Sequence, residues 1–153
     1  MRYAPSASNS RGWKINIVTD EEKIKAISDS SIKGAFKYMG FPSEESARNY
    51  FKSIDRDPIL LKAPAVIFVS CNVGMPATDT AIIITHGRLA AHSLGLGTCW
   101  IGMMNLAIPL NKEILKIAGI KEKDRVQGVF TIGYPSVRYH RTAPRLPLDV
   151  DGS

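Results

Sequence analysis

Hydrophobic and polar positions alternate along the chain in patterns that predict four strands. Trp13, Ile15 and Ile17 alternate with polar residues, which is typical of a half-buried strand. Residues 65–70 form a short, continuously apolar run, as expected of a strand buried on both faces. Two further short strands are predicted over residues 98–103 and 125–133.

Helical patterns lie between these strands. Thr19 is followed three residues later by Glu22, a capping box that predicts the start of a helix with Ile24 and Ile27 on its buried side. The alternation of strands with helices favours a mixed α/β sandwich. The remaining predicted helices cover residues 32–38, 43–54, 78–94 and 111–118.

The longest predicted helix, from Thr78 to Leu94, is apolar nearly all the way round. Thr78 or Asp79 is expected to cap it, and Gly95 to end it. A helix with this pattern is buried on most sides, either in a core or across a subunit interface. The pattern itself leaves these two alternatives open.

Composition indicates one globular domain over residues 1–153, with a proline-rich, extended arm from residue 134 onwards. Hydrophobic residues make up 44% of the chain, but no apolar run approaches the roughly 20 residues of a membrane-spanning helix. The start of the sequence lacks the apolar core of a secretory signal. We therefore expect a cytoplasmic protein that does not enter a membrane.

The net charge of +6 is spread over lysines mixed with acids, except in one basic stretch without acids, residues 138–145. Such a stretch suits a solvated surface, an anionic cofactor or a nucleic acid, but it lacks the interleaved aromatic residues typical of nucleic-acid binding. We expect no nucleic-acid partner. Cys71 and Cys99 are expected to be buried thiols, and the spacing of cysteines and histidines predicts no metal site.

Three segments carry candidate binding chemistry. Residues 95–102 are rich in glycine, but these glycines follow a helix and open a predicted strand, whereas those of a dinucleotide-binding loop follow a strand and open a helix. They form a helix end and a tight turn, or place the bare backbone of Gly102 against a flat ligand. The hydroxyls and amide of residues 4–10 form turns or bind a polar ligand edge, and Arg141 and Arg145 are suited to gripping a phosphate.

Together these segments resemble the nitroreductase family, in the family's order and over nearly the whole chain. The segments that carry the resemblance are Arg2–Ser10, Ala63–Val69, Gly95–Gly102 and Ile132–Pro135, followed by Arg141 and Arg145. The resemblance implies an α+β fold, a sandwich with a central, mostly antiparallel sheet flanked by helices. It also implies a homodimer with FMN at the subunit interface.

The resemblance further implies an FMN-dependent oxidoreductase. Hydride from NADH or NADPH would pass through the flavin N5 atom to a nitroaromatic, quinone or similar acceptor. The cofactor supplies such chemistry, so no side chain is expected as a catalytic acid or base, and no metal is implied. The alternative is a non-catalytic flavin- or nucleotide-binding protein of the same fold.

Position by position, the resemblance assigns three groups of cofactor-binding residues. The loop that reaches the flavin from the partner subunit matches Pro5, Ser6, Ala7 and Asn9. The stretch along the flavin ring matches Trp100, Ile101 and Gly102, and the phosphate-binding residues match Arg145 and Arg141. The helix predicted over residues 78–94 matches the central helix at the dimer interface.

The two ends of the chain refine the resemblance. Residues 139–147 look most like family members fused to a ferredoxin-type segment, which implies an iron–sulfur protein as an alternative electron donor. In the family, a helical segment with an Arg-x-Ser-x-Arg motif that contacts FMN precedes the position of Met1. Without the two charge-assisted bonds of that motif, we expect FMN affinity to be lower by on the order of a hundredfold or more.

Overall fold

A four-stranded antiparallel sheet forms the centre of the computed structural model, which describes residues 1–137, 140–141 and 144–147. The strands lie in the order β1-β2-β4-β3, and each neighbouring pair is antiparallel. The fold class expected from the sequence, an α+β sandwich with an antiparallel sheet, is confirmed. The strands are β1 (Trp13–Val18), β2 (Ala65–Cys71), β3 (Gly97–Trp100) and β4 (Val126–Gly133).

Helices cover the two faces of this sheet unequally. One face carries α1, α4 and α5, whereas the other carries α3. A 3-10 turn (Ala7–Asn9) precedes β1. The helices are α1 (Glu21–Ala35), α2 (Glu44–Ser53), α3 (Pro76–Ser93), α4 (Gly102–Leu110) and α5 (Glu113–Ile117).

The first helix starts where the sequence predicts, but with a different cap. The side chain of Asp20, rather than Thr19, accepts a hydrogen bond from the Lys23 amide at 2.8 Å. Helix α1 then continues without a break to Ala35, so it includes the first residues of the separate helix predicted over 32–38. Ile24 and Ile27 are buried, as predicted.

Helix α4 was not predicted. The strand predicted over 98–103 ends at Trp100, and the chain turns into a helix at Gly102. Gly102 and Pro109 both disfavour a helix and lie at the two ends of this apolar segment, so the sequence does not predict a helix there. Close packing against α1 stabilises this helix: a Cβ atom at Gly34 would lie 2.7 Å from backbone atoms of Ala107.

The face that carries α1, α4 and α5, called here the covered face, holds the larger core. Its members include Phe68 of β2, Leu60 of the preceding loop and Met104 of α4, all fully buried. The opposite face, the α3 face, has a smaller core centred on Ile84 and Phe130. Burial of apolar side chains therefore concentrates on one side of the sheet.

The α3 face leaves apolar side chains exposed. Ile15 and Ile17 pair across the sheet with Val69 and Ile67, so they share this face, yet 62% of Ile17 is exposed. The half-buried pattern predicted for β1 is wrong in this respect because α3 does not cover that strand. Leu89 on the outer side of α3 is 65% exposed, so the all-round burial predicted for this helix is not reached within one chain.

Two smaller expectations also need correction. Helix α3 begins at Pro76 after Met75, without a side-chain cap, and Asp79 lies inside its first turns. Cys71 is a buried thiol, as expected, but Cys99 on the edge strand β3 is exposed. In the described part of the chain, no helix combines the length and the hydropathy needed to cross a membrane.

Candidate functional site

The loop before β1 contains the first group of predicted site residues. Ser6 is extended, and its hydroxyl accepts a hydrogen bond from the Arg11 amide at 2.9 Å. Ser8, Asn9 and Arg11 all have positive φ values, between 45° and 52°, a conformation that is uncommon for residues other than glycine. A loop with this geometry needs support from the rest of the fold.

Asp79 supplies that support from the first turns of α3. Its side chain is 1% exposed, and its Oδ1 accepts a hydrogen bond from the Ala7 amide at 2.9 Å. Its Oδ2 accepts one from the Met75 amide at 3.2 Å. The adjacent Gly74 has a φ of +73°, and a Cβ atom there would lie 2.7 Å from this Oδ2 atom.

Trp100 ends β3 on the same face of the sheet. Its ring packs beside Gly128 of β4 and Ile84 of α3: a Cβ atom at Gly128 would lie 3.2 Å from the ring and 2.6 Å from Ile84. Ala4 belongs to the same apolar cluster as Ile84, and Trp100 packs against that cluster. Helix α3 thus brings the Pro5–Asn9 loop and Trp100 to one side of the sheet.

Gly102 follows at the start of α4 and is open to solvent. Ile101 is buried, and its amide donates to the Val129 carbonyl at 2.9 Å, which fixes the chain just before the turn. No side chain caps this helix, and the first amides of a helix have no acceptor within it. A Cβ atom at Gly102 would have no neighbour within 4 Å, so the packing of this chain does not require glycine.

Arg141 and Arg145 lie in the C-terminal arm, and both are exposed. Among the described residues, no hydrogen bond or ion pair joins either guanidinium to the Pro5–Asn9 loop or to Gly102. The structure therefore places the Pro5–Asn9 loop and Trp100 on the same face of the sheet, whereas Ile101 packs in the core of the covered face and Gly102 begins α4. The role of the two arginines stays a prediction.

Sequence reasoning missed two residues that shape this region, Asp79 and Gly128. Asp79 was interpreted only as a helix cap, although it is the only acidic residue in an otherwise uncharged stretch of α3. A single acidic residue in an apolar helix was the feature that could have indicated its role. Nothing in the sequence points to Gly128, because its importance comes from the packing of Trp100 on the neighbouring strand.

A second concave region lies between α1, α2 and the loop of residues 55–64, with a volume of about 950 Å³. Burial by itself raises the pKa of Asp57 in its wall. Hydrogen bonds from the Ser28 hydroxyl and from the amides of Lys62, Ile59 and Leu60 outweigh this, so the pKa is below its usual 3.8. Asp57 thus anchors the loop to α1. None of the residues that line this groove belongs to the Pro5–Asn9 loop or to residues 100–102.

The comparison with protein families identifies the class of protein. The family model described as "Nitroreductase family" matches residues 1–134, and the chain belongs to this family. A curated relative from Archaeoglobus fulgidus, named "Putative NADH dehydrogenase/NAD(P)H nitroreductase", is 30% identical over 132 residues. That alignment covers 86% of this chain and 66% of the relative, just under two thirds of its length.

Solved structures show the same fold. A nitroreductase with bound FMN from Bacteroides fragilis has a TM-score of 0.70 and 24% identity, covering 99% of this chain and 82% of that one. One with bound FMN from Desulfitobacterium hafniense has a TM-score of 0.70 and 22% identity, with 93% and 76% covered. An FMN- and NADPH-dependent nitroreductase from Sphigopyxis sp. strain HMH has a TM-score of 0.65 and 16% identity, with 99% and 85% covered.

Proposed function

We propose that this protein is an FMN-dependent oxidoreductase that accepts hydride from NADH or NADPH and reduces nitroaromatic, quinone or similar acceptors. Membership of the nitroreductase family supports the class of reaction. The names of the relatives, which mention FMN, NADPH and NAD(P)H, support the choice of cofactor and donor.

The observation that carries this proposal is the open backbone at Gly102. Gly102 is the first residue of α4, and no neighbour in the chain requires a glycine at this position. A flat ring lying against this backbone would account for it, since a side chain would occupy the ring's place. The uncapped amides at the start of α4 fit an electron-rich ring atom.

Other residues fit the remaining parts of FMN. The Pro5–Asn9 loop offers hydroxyl and amide groups, from Ser6 and Asn9, to a polar ring edge. Arg145 and Arg141 are exposed cations suited to a phosphate through forked, charge-assisted hydrogen bonds. The residues present therefore fit the cofactor that the family implies.

Bound FMN supplies the redox chemistry, so the chain needs no acid, base or nucleophile of its own. In this proposal Trp100 and Gly102 orient the ring and shield it from water. Backbone amides near Gly102 donate hydrogen bonds to it, and the arginines hold the phosphate. Preorganised donors of this kind are worth more in a site from which water is excluded.

We also propose that two copies of the chain associate through the α3 face. Ile15 and Ile17 of β1 and Leu89 of α3 are exposed there. Exposed apolar side chains that share one face are typical of a subunit interface. The dimer would place the Pro5–Asn9 loop of one subunit against the flavin of the other, as the family resemblance implies.

The test is a titration of the purified protein with FMN, followed by flavin fluorescence and the visible spectrum. We expect saturable binding, and then bleaching of the bound flavin's absorbance when NADH or NADPH is added without oxygen. Reoxidation by a nitroaromatic or a quinone would identify the acceptor class. Absence of FMN binding at any concentration would contradict the proposal.

Two other outcomes of this titration would change the proposal, and the resemblance of the C-terminal arm supports the first of them. Bleaching by a reduced ferredoxin, but not by NADH or NADPH, would replace the nicotinamide donor with an iron–sulfur protein. Flavin binding without reduction by any donor would favour the alternative, a non-catalytic flavin-binding protein of the same fold. Each outcome leaves the family assignment intact and changes only the reaction.

Arg145→Ala tests the phosphate site. Loss of a charge-assisted hydrogen bond of about 1.5–3 kcal/mol predicts an FMN dissociation constant raised by roughly ten- to a hundredfold. Riboflavin, which lacks the phosphate, should bind both proteins equally. Arg125→Ala is the matched control, because it removes another exposed arginine, the residue just before β4. An unchanged dissociation constant in Arg145→Ala would remove Arg145 from the site.

A further inference from the structure

We propose that Asp79 is a positioning residue for the flavin site: its buried carboxylate holds the Pro5–Asn9 loop in its binding conformation. This inference rests on the proposed function. Asp79 would touch neither cofactor nor substrate. It would act through the loop, which it reaches across 72 positions of sequence.

The geometry of the carboxylate supports this role. One oxygen accepts from the Ala7 amide at 2.9 Å, and the other accepts from the Met75 amide at 3.2 Å. One side chain therefore bridges the 3-10 turn of the loop and the start of α3. Bonds from amides to an ionised carboxylate are stronger than those between neutral groups.

A buried carboxylate is costly unless it is compensated. Among the described residues, no lysine or arginine pairs with Asp79, so its compensation comes from the two amides and from the position near the N-terminus of α3. Thr80, the next residue of α3, is also buried, but its hydroxyl has no hydrogen-bond partner among the described residues. The two neighbours therefore differ in that only Asp79 is connected to the loop.

The loop itself needs this restraint. Two of its residues, Ser8 and Asn9, and the following Arg11 have positive φ values, which cost free energy unless surrounding contacts impose them. The Ser6 hydroxyl closes the loop locally through the Arg11 amide. Within the described part of the chain, the bond from Ala7 to Asp79 ties the turn to a helix. Releasing it should let the turn sample other conformations.

The experiment compares Asp79→Asn with Thr80→Val, a nearly isosteric change of the adjacent buried residue. The first readout needs no flavin: hydrogen–deuterium exchange of the peptide spanning residues 4–11. We expect faster exchange there in Asp79→Asn, because the amide group cannot accept from both backbone N–H groups, and little change in β2 and β4. Thr80→Val should exchange as the wild type does.

The second readout is FMN affinity. We expect the dissociation constant to rise by about ten- to a hundredfold in Asp79→Asn, with a changed visible spectrum of the bound flavin, and to stay unchanged in Thr80→Val. Faster loop exchange with an unchanged dissociation constant and spectrum would overturn the positioning role. It would leave FMN binding by the wild type, and hence the proposed function, untouched.

A second variant covers the case in which Asp79→Asn does not fold. Ala7→Pro removes only the donor of the loop bond and leaves the carboxylate bonded to Met75. Ser6 has φ −144° and ψ 158°, the extended conformation favoured for the residue before a proline. We expect the same loss of FMN affinity with near-normal thermal stability. Unchanged FMN affinity in a folded Ala7→Pro variant would also overturn the proposal.

Discussion

The two faces of the sheet differ in how completely they are covered. On the covered face, α1, α4 and α5 enclose Phe68 and Leu60, and backbones touch where Gly34 meets Ala107. On the α3 face, a single helix leaves Ile17 and Leu89 in contact with solvent. The candidate flavin site begins on this second face, at the loop held by α3 and at Trp100.

This difference separates stability from function. The covered face supplies most of the buried apolar area, and hence most of the free energy that stabilises one chain. The α3 face retains apolar surface that one chain does not bury, and this surface is available to a second subunit and to a cofactor. Substitutions on the covered face should therefore mainly lower the stability of the chain. Substitutions on the α3 face should mainly weaken dimer assembly and cofactor binding.

The largest effect is expected from Phe68→Ala on the covered face. Removing a fully buried aromatic ring should lower the free energy of unfolding by about 3–5 kcal/mol. In a monomer, Ile17→Ala on the α3 face should cost less than about 1 kcal/mol, because most of this side chain is exposed in a single chain. Urea denaturation at a protein concentration low enough to keep both variants monomeric measures both. Equal losses would contradict the contrast between the faces.

Leu89→Glu should change assembly rather than folding. A charge on the outer side of α3 would have to be desolvated in the proposed dimer, so we expect a monomer in sedimentation experiments at micromolar concentration. The thermal unfolding of that monomer should remain cooperative. Leu110→Glu is the control, since it places the same charge on an exposed leucine at the end of α4. Dissociation by both variants would argue against an interface on the α3 face.

Asp57→Asn is expected to cost about 1–3 kcal/mol, because asparagine cannot keep all four hydrogen bonds of Asp57, one from Ser28 of α1 and three from amides of its own loop. The lowered pKa of Asp57 means that its stabilisation is full above pH 3.8 and is lost as the pH falls through its folded-state pKa. The difference between wild type and variant should therefore shrink below about pH 4.

The control for this prediction is Asp55→Asn. The Asp55 side chain is 97% exposed and pairs with Lys62 at 3.2 Å, so its loss should change the free energy of unfolding by about 0.5 kcal/mol or less. Chemical denaturation between pH 3 and pH 7 measures both variants. A constant difference between wild type and Asp57→Asn over that range would contradict the assigned cause.

Much of the fold could be predicted from local patterns. The alternation in β1, the apolar run of β2 and the buried side of α1 each lie within a few neighbouring residues, where periodicity is informative. Helix α4 could not be predicted this way, because Gly102 and Pro109 weaken its local preference and contact with α1 restores it. The exposure of Ile17 escaped prediction because alternation shows an apolar face, but not what covers it.

The candidate site was predictable in part. The Pro5–Asn9 loop and the Trp100–Gly102 turn were found through a family resemblance, and the structure places the loop and Trp100 on the same face of the sheet. Asp79 was missed as a site residue because its bond to Ala7 joins positions far apart in sequence, which no local pattern records. Long-range hydrogen bonds of this kind become visible only with the fold.

The central claim is that Gly102 is glycine because a cofactor lies against it, and Gly102→Ala tests it most directly. Without FMN, the variant should be at least as stable as the wild type, since Gly102 is the first residue of α4 and an alanine side chain there meets no neighbour. With FMN, its dissociation constant should rise at least about tenfold, and Gly102→Val should raise it further. Unchanged FMN affinity in both variants would contradict the account.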